Sequence, residues 1–135
     1  QKMSKSYDNA IEIFAPEKAL KKKVMSIVTD STPVESPKDP EQCVPFLLYR
    51  LVADQAKAED MAGRLRKGGY GYGEAKKELF GAMWEFFSPY RKKYEELLRN
   101  PGYVDEVRAK GAAKARAMAA ETIARVRKLV GTATL

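Results

Sequence analysis

The run from Asn100 to Gly131 constrains the fold of this chain most. Asn100 suits a helix N-cap, and Pro101 suits the first helical position, where the missing N–H would have had no partner in any case. The helix is expected to continue to about Val130 and to stop at Gly131. Val104, Val107, Gly111, Ala115, Met118, Thr122, Val126 and Leu129 recur at three and four residues and predict an inner face. Gly111, Ala112 and Ala115 are small enough to let a second helix approach closely. The rest of the circumference carries Arg108, Lys110, Lys114, Arg116, Arg125, Arg127 and Lys128 against Asp105, Glu106 and Glu121. A solvated face and a polyanion-binding face both fit that pattern.

The remaining segments also read as helical. Pro16 suits a helix start and Glu17 complements the dipole of the first turn. Leu20, Val24 and Ile27 then mark one face, with Lys18, Lys21, Lys22 and Lys23 mostly elsewhere around it, either solvated or facing RNA. Pro33, Pro37, Pro40 and Pro45 break any helix between Thr29 and Pro45, which reads as an ordered connection, with Asp39 able to cap a turn at Pro40-Glu41. Phe46 to about Ala53 is apolar enough for a buried helix, through Leu47, Leu48, Leu51 and Val52. Ala56 to Lys67 continues as a more polar one, with Met61 and Leu65 spaced by four. Gly68-Gly69-Tyr70-Gly71-Tyr72-Gly73 lacks the spacing and terminal Lys-Ser/Thr of a phosphate loop. It reads as a tight interhelical turn with packed tyrosines, rather than as tyrosines free to stack on bases. Glu74 to Arg99 is expected to be a long helix with Leu79, Met83, Phe86, Tyr90, Tyr94 and Leu97 along its stripe, widened by Trp84 and Phe87, and Pro89 should kink or break it near Glu85. No segment reads convincingly as a strand. The expected fold is all-α, a bundle of about five helices behind an N-terminal loop.

Composition narrows the function. A chain of 135 residues with 44% hydrophobic content is one domain's worth, large enough for a compact core. Nothing resembles a membrane span or a secretory signal. The single cysteine, Cys43, cannot form an internal disulfide, so an intracellular, cytoplasmic setting is expected and the thiol is read as packed rather than nucleophilic. The absence of histidine excludes imidazole bases, His triads and His-ligated metals, and no metal site is expected. A net charge of +7 favours a polyanionic partner.

The first residues carry the chemistry. Lys2-Met3-Ser4-Lys5-Ser6 sets two ammonium groups and two hydroxyls beside one apolar anchor. Lysines can follow charge moving along a polyphosphate, and hydroxyls and backbone N–H groups can cradle its oxygens. A solvated basic tail is the plainer alternative from composition. The same five residues match the second signature of the class I aminoacyl-tRNA synthetases, and Tyr7-Asp8-Asn9 resembles its continuation, with Asp8 where that family more often has glycine. Lys22-Lys23-Val24-Met25-Ser26-Ile27-Val28-Thr29-Asp30-Ser31, Gly71-Tyr72-Gly73-Glu74-Ala75-Lys76 and Gly102-Tyr103-Val104-Asp105 resemble bacterial tryptophanyl-tRNA synthetases.

That resemblance covers essentially the whole chain, and it implies a mechanism. Tryptophan is activated by ATP, with Mg²⁺, and then passed to tRNA(Trp). Lys2 and Lys5 would be catalytic, neutralising the departing pyrophosphate. Lys2, Met3, Ser4, Lys5 and Ser6 would bind ATP. Residues 1–15 would be the catalytic loop and its lead-in, 16–45 a helix and proline-rich connection, and 46–135 a helical anticodon-binding-like domain. Arg108, Lys114, Arg116, Arg125 and Arg127 would contact tRNA. The family's first signature contains histidine, so the chain is expected to be the C-terminal part of a longer enzyme, inactive alone. An α/β nucleotide-binding fold elsewhere in that enzyme would hold the tryptophan, and the whole is expected to be a homodimer. A stand-alone helical RNA-binding or oligomerisation module is the alternative.

Overall fold

The computed structural model describes residues 3–132, and every regular element among them is helical. A single 3-10 turn at Lys5–Tyr7 is followed by α1 (Glu17–Met25), a second 3-10 turn (Pro40–Gln42), α2 (Val44–Tyr49), α3 (Gln55–Lys67), α4 (Tyr72–Phe86), α5 (Ser88–Arg99) and α6 (Pro101–Leu129). The expected all-α fold is present. The expected long helix is two helices, α4 and α5, separated at Phe87. Pro89 supplies no N–H to the carbonyl four residues back, and the break falls within the turn before it.

Two compact units make up the chain, residues 1–92 and 93–135. In the first, α4 is the central strut, packed against both α1 and α2. Leu20 and Val24 from α1, Phe46 and Tyr49 from α2, Met61 and Leu65 from α3, and Leu79 and Met83 from α4 meet in one core. Each of these side chains is buried, which is worth about 1.5–3 kcal/mol for a large apolar group. Cys43 lies in the same core, and burial pushes its thiol pKa up, as suits a packing residue.

Local chemistry sets where these helices begin and end. Asp39 accepts from the Glu41 N–H and starts the short turn at Pro40, as its sequence suggests. Asp54 accepts from the Lys57 N–H and starts α3. The helix expected from Phe46 to Ala53 therefore closes at Tyr49, because a new cap lies five residues on. Leu51, read as part of the buried run, is 70% exposed in the intervening turn.

Lys38 is an unanticipated member of the interior. Only 4% exposed, it donates its Nζ to the carbonyls of Pro33, Ser36 and Val34 at 2.7, 3.0 and 3.2 Å. The proline-rich connection has few N–H donors of its own, and the ammonium supplies three. The same segment is joined to the glycine turn: the Lys38 N–H donates to the Leu65 carbonyl and the Gly69 N–H to the Val34 carbonyl. Gly68 has φ +82°, and a Cβ there would collide with the Glu35 carbonyl oxygen, so this position requires glycine on two counts. Tyr70 is buried and donates to Glu78 at 2.9 Å, while Arg64 forks onto the same carboxylate at 2.7 and 2.8 Å. Tyr72 donates to Asp30 at 2.9 Å. These tyrosines pack, as the turn reading expects.

The second unit holds the end of α5 and α6. Asn100 accepts from the Tyr103 N–H, Pro101 follows at the first helical position, and Gly131 adopts φ +72°, all as the sequence implies. Burial differs from expectation. No residue of α5 or α6 is buried, and Met118 and Leu129 of the expected inner face are 67% and 79% exposed. Among the described residues of this unit, only residues 93–99 of α5 accompany α6. Seven residues of helix span about 10 Å, whereas 29 span about 43 Å, so α5 cannot cover the stripe. Phe86, Tyr90 and Tyr94, expected on a buried stripe, are likewise exposed.

Candidate functional site

The signature loop folds back on itself. The Ser4 N–H donates to Asn9 Oδ1 at 2.6 Å, the Ser6 N–H donates to Ser4 Oγ at 3.3 Å, and the Tyr7 N–H closes on the Ser4 carbonyl at 3.1 Å. Ser6 is exposed. Met3 is half exposed at the lip of a cavity of about 560 Å³, whose wall includes Tyr7, Ile11, Ile27, Val28 and Leu48. Lys2 lies outside the described residues, as does the side chain of Lys5. The Lys5 backbone begins the 3-10 turn.

Asp8 ends that turn at φ +48°, the left-handed region that side chains rarely adopt. Here the resemblance expects glycine more often, and the backbone conformation is one that glycine takes without strain. The aspartate is held there by Lys23 from α1, whose Nζ donates to the Asp8 carbonyl and, at 2.6 Å, to its carboxylate. That hydrogen bond and the charge of Lys23 hold the Asp8 carboxyl below its ordinary pKa. Lys23, one of four lysines read as a charged face, is thus the tie between loop and helix. The signal in the sequence is Asp8 itself, a residue in a glycine-favouring position that needs a partner.

The second candidate is the basic surface of α6. Arg108 reaches Asp105 at 3.3 Å, and Lys110 reaches Glu106 at 2.6 Å, each within its own helix. Lys114, Arg116, Arg125 and Arg127 have no carboxylate partner among the described residues. They do not share one face. Lys114 and Arg125 are eleven residues apart, about three turns, and so form one ridge. Arg116 and Arg127 form another, rotated roughly 200° around the axis. A single flat partner could engage one ridge at a time. Among the described residues no group of acidic residues and cysteine could hold a metal, and no helix is long and apolar enough to cross a membrane.

The family model of the class I tRNA synthetases (W and Y) matches residues 1–88, nearly the whole of the first unit. The tryptophan–tRNA ligase of Rhodopirellula baltica is 46% identical over 97% of this chain and 41% of its own length. That of Fusobacterium nucleatum is 45% identical over 97% of this chain and 40% of its own. The crystal structure of tryptophanyl-tRNA synthetase from Campylobacter jejuni complexed with ADP and tryptophan superposes with a TM-score of 0.82 at 44% identity, covering 96% of this chain and 41% of that one. The chain spans about two-fifths of the length of these relatives. By the extent of these matches, the chain belongs to the class I tRNA synthetase family (W and Y).

Proposed function

We propose that this chain is the phosphate-loop and tRNA-holding part of a tryptophan–tRNA ligase. The observation that carries the reading is its 45–46% identity, across nearly its full length, to tryptophan–tRNA ligases. The ligand pair in the Campylobacter jejuni structure supports an adenine nucleotide and tryptophan as substrates. In this reading the tryptophan carboxylate attacks the α-phosphorus of ATP, pyrophosphate leaves, and the tRNA(Trp) terminal hydroxyl then takes the aminoacyl group. Negative charge grows on the leaving pyrophosphate. Lys5 and Lys2 neutralise it, and Mg²⁺ arrives on the phosphates as part of the substrate. Such preorganised charge is typically worth several kcal/mol in the transition state. Closing over ATP exchanges the hydrogen bonds of Ser4 with Asn9 and of Ser6 with Ser4 for phosphate oxygens, while Met3 seats the loop on apolar surface. The division of labour is 1–15 for the loop and lead-in, 16–45 for the connection and 46–135 for tRNA, with Arg108, Lys114, Arg116, Arg125 and Arg127 as phosphate contacts of a tRNA that reaches more than one side of α6. The enzyme acts as a cytoplasmic homodimer.

Lys5→Ala in the full-length ligase tests this. The charge acts mainly as the leaving group develops, so tryptophan-dependent ATP–pyrophosphate exchange is expected to lose kcat by at least tenfold, with tryptophan affinity nearly unchanged. Equal rates for variant and wild type would remove Lys5 from the mechanism.

A further inference from the structure

We propose that the outer faces of α1 and α4 form a second RNA-docking surface, separate from α6, that takes a phosphate backbone. The proposal rests on the reading of this chain as a tRNA-handling protein and adds a surface to it. On α1, Lys18, Lys21 and Lys22 are exposed, and none is ion-paired among the described residues. Two contacts set α1 antiparallel to α4. Lys21 Nζ lies 5.8 Å from the Phe80 ring centroid, and four residues later along α1 the Met25 carbonyl accepts from Lys76. Lys77, exposed and also without a carboxylate partner, therefore stands on α4 about a turn from Phe80, on the side of that seam.

The carboxylates of α4 are directed elsewhere. Glu74 accepts from the Gly71 N–H at 3.1 Å, Glu78 is taken by Arg64, and Glu85 lines a cavity beside Asp54 and Lys57. On α1 only Glu17 opposes the lysines. The cations are thus segregated from the acids, which is the electrostatic footprint of a polyanion-binding face. Phe80 and Trp84 continue this face as a pair of half-buried rings 6.1 Å apart, and the Arg91 guanidinium covers Trp84 at 3.7 Å. The result is a ladder of cation, ring, ring and cation across three helices. A lipid surface fits less well, because Leu20 and Val24, the apolar residues an interfacial helix would insert, are already buried in the core.

The test is filter binding of tRNA(Trp) to the whole chain over a series of salt concentrations, beside sedimentation with phosphatidylserine-containing vesicles. A Lys18→Gln, Lys21→Gln, Lys22→Gln and Lys77→Gln variant is expected to bind more weakly. Its slope of log affinity against log salt should be shallower by roughly 0.7–0.9 for each phosphate no longer neutralised. A Lys18→Gln, Lys22→Gln variant changes only exposed side chains and is expected to show about half that change with an unaltered circular dichroism spectrum. If the wild-type chain holds tRNA and both variants keep its slope, this surface is overturned while the reading of the chain as a tRNA-handling protein stands. If the wild-type chain retains no tRNA at low salt, both fall. If the wild-type chain binds the vesicles as tightly as tRNA and the variants lose both equally, the surface is a general anion or lipid face and the proposal is wrong.

Discussion

The first unit and α6 use the same sequence device to opposite ends. In α4, Leu79 and Met83 recur at helical spacing and are buried against α1 and α2. In α6, Val107, Met118, Val126 and Leu129 recur just as regularly and are all exposed. The periodicity specifies that a helix has a face, and capping specifies where the helix starts and stops. Neither specifies what covers the face. In the first unit, short helices joined by caps and a glycine turn bring partners to one another. In the second, a 29-residue helix outruns the only helical segment accompanying it among the described residues of that unit.

Truncation of a core side chain breaks the comparison most sharply. Leu79→Ala removes a fully buried group and is expected to cost about 2–5 kcal/mol, read as a lowered urea midpoint at unchanged slope. Met118→Ala, on the exposed stripe of α6, is expected to stay within about 0.5 kcal/mol. Equal losses would mean that the α6 face contributes to the fold as the α4 face does.

Much of the fold is legible in the sequence, for reasons that are local. Asn100-Pro101, Asp39, the break before Pro89 and the turn at Gly68-Gly69 depend on one or two residues and their own backbone. The signature at Lys2 to Ser6 is equally plain as a pattern of charges and hydroxyls. What escapes a reading of the sequence is the meeting of distant residues. Nothing in the sequence singles out Lys38, and only the folded connection shows three carbonyls turned toward it. Lys23 reads as part of a charged run, yet it reaches fifteen residues back to Asp8. The basic residues of α6 read as one face, and the helical angle divides them into two ridges.

A smaller effect sharpens the loop side of the comparison. The Asp8 carboxylate is held low by Lys23, so whatever the pair contributes is present above the ordinary carboxylate pKa of about 3.9 and is lost as pH falls through the lower folded value. An NMR titration is expected to place the Asp8 midpoint below about 3.9, and Lys23→Met is expected to bring it back up. A midpoint unmoved by Lys23→Met would mean that the pair does not hold the loop in solution. Its effect on global unfolding is expected to be near zero, because both partners reach solvent.

Native-state hydrogen exchange on the whole chain, with and without tRNA(Trp), tests most directly whether the first unit carries the fold while α6 is a surface held for RNA. Helical stability in proteins comes mostly from tertiary packing of a face, and exchange protection tracks it. The α4 amides around Leu79 are expected to exchange slowly in both conditions. The α6 amides from Gly111 to Arg127 are expected to exchange orders of magnitude faster alone and to slow on adding tRNA. Protection of α6 equal to that of α4 without RNA, or α6 exchange unchanged by saturating tRNA, would contradict it.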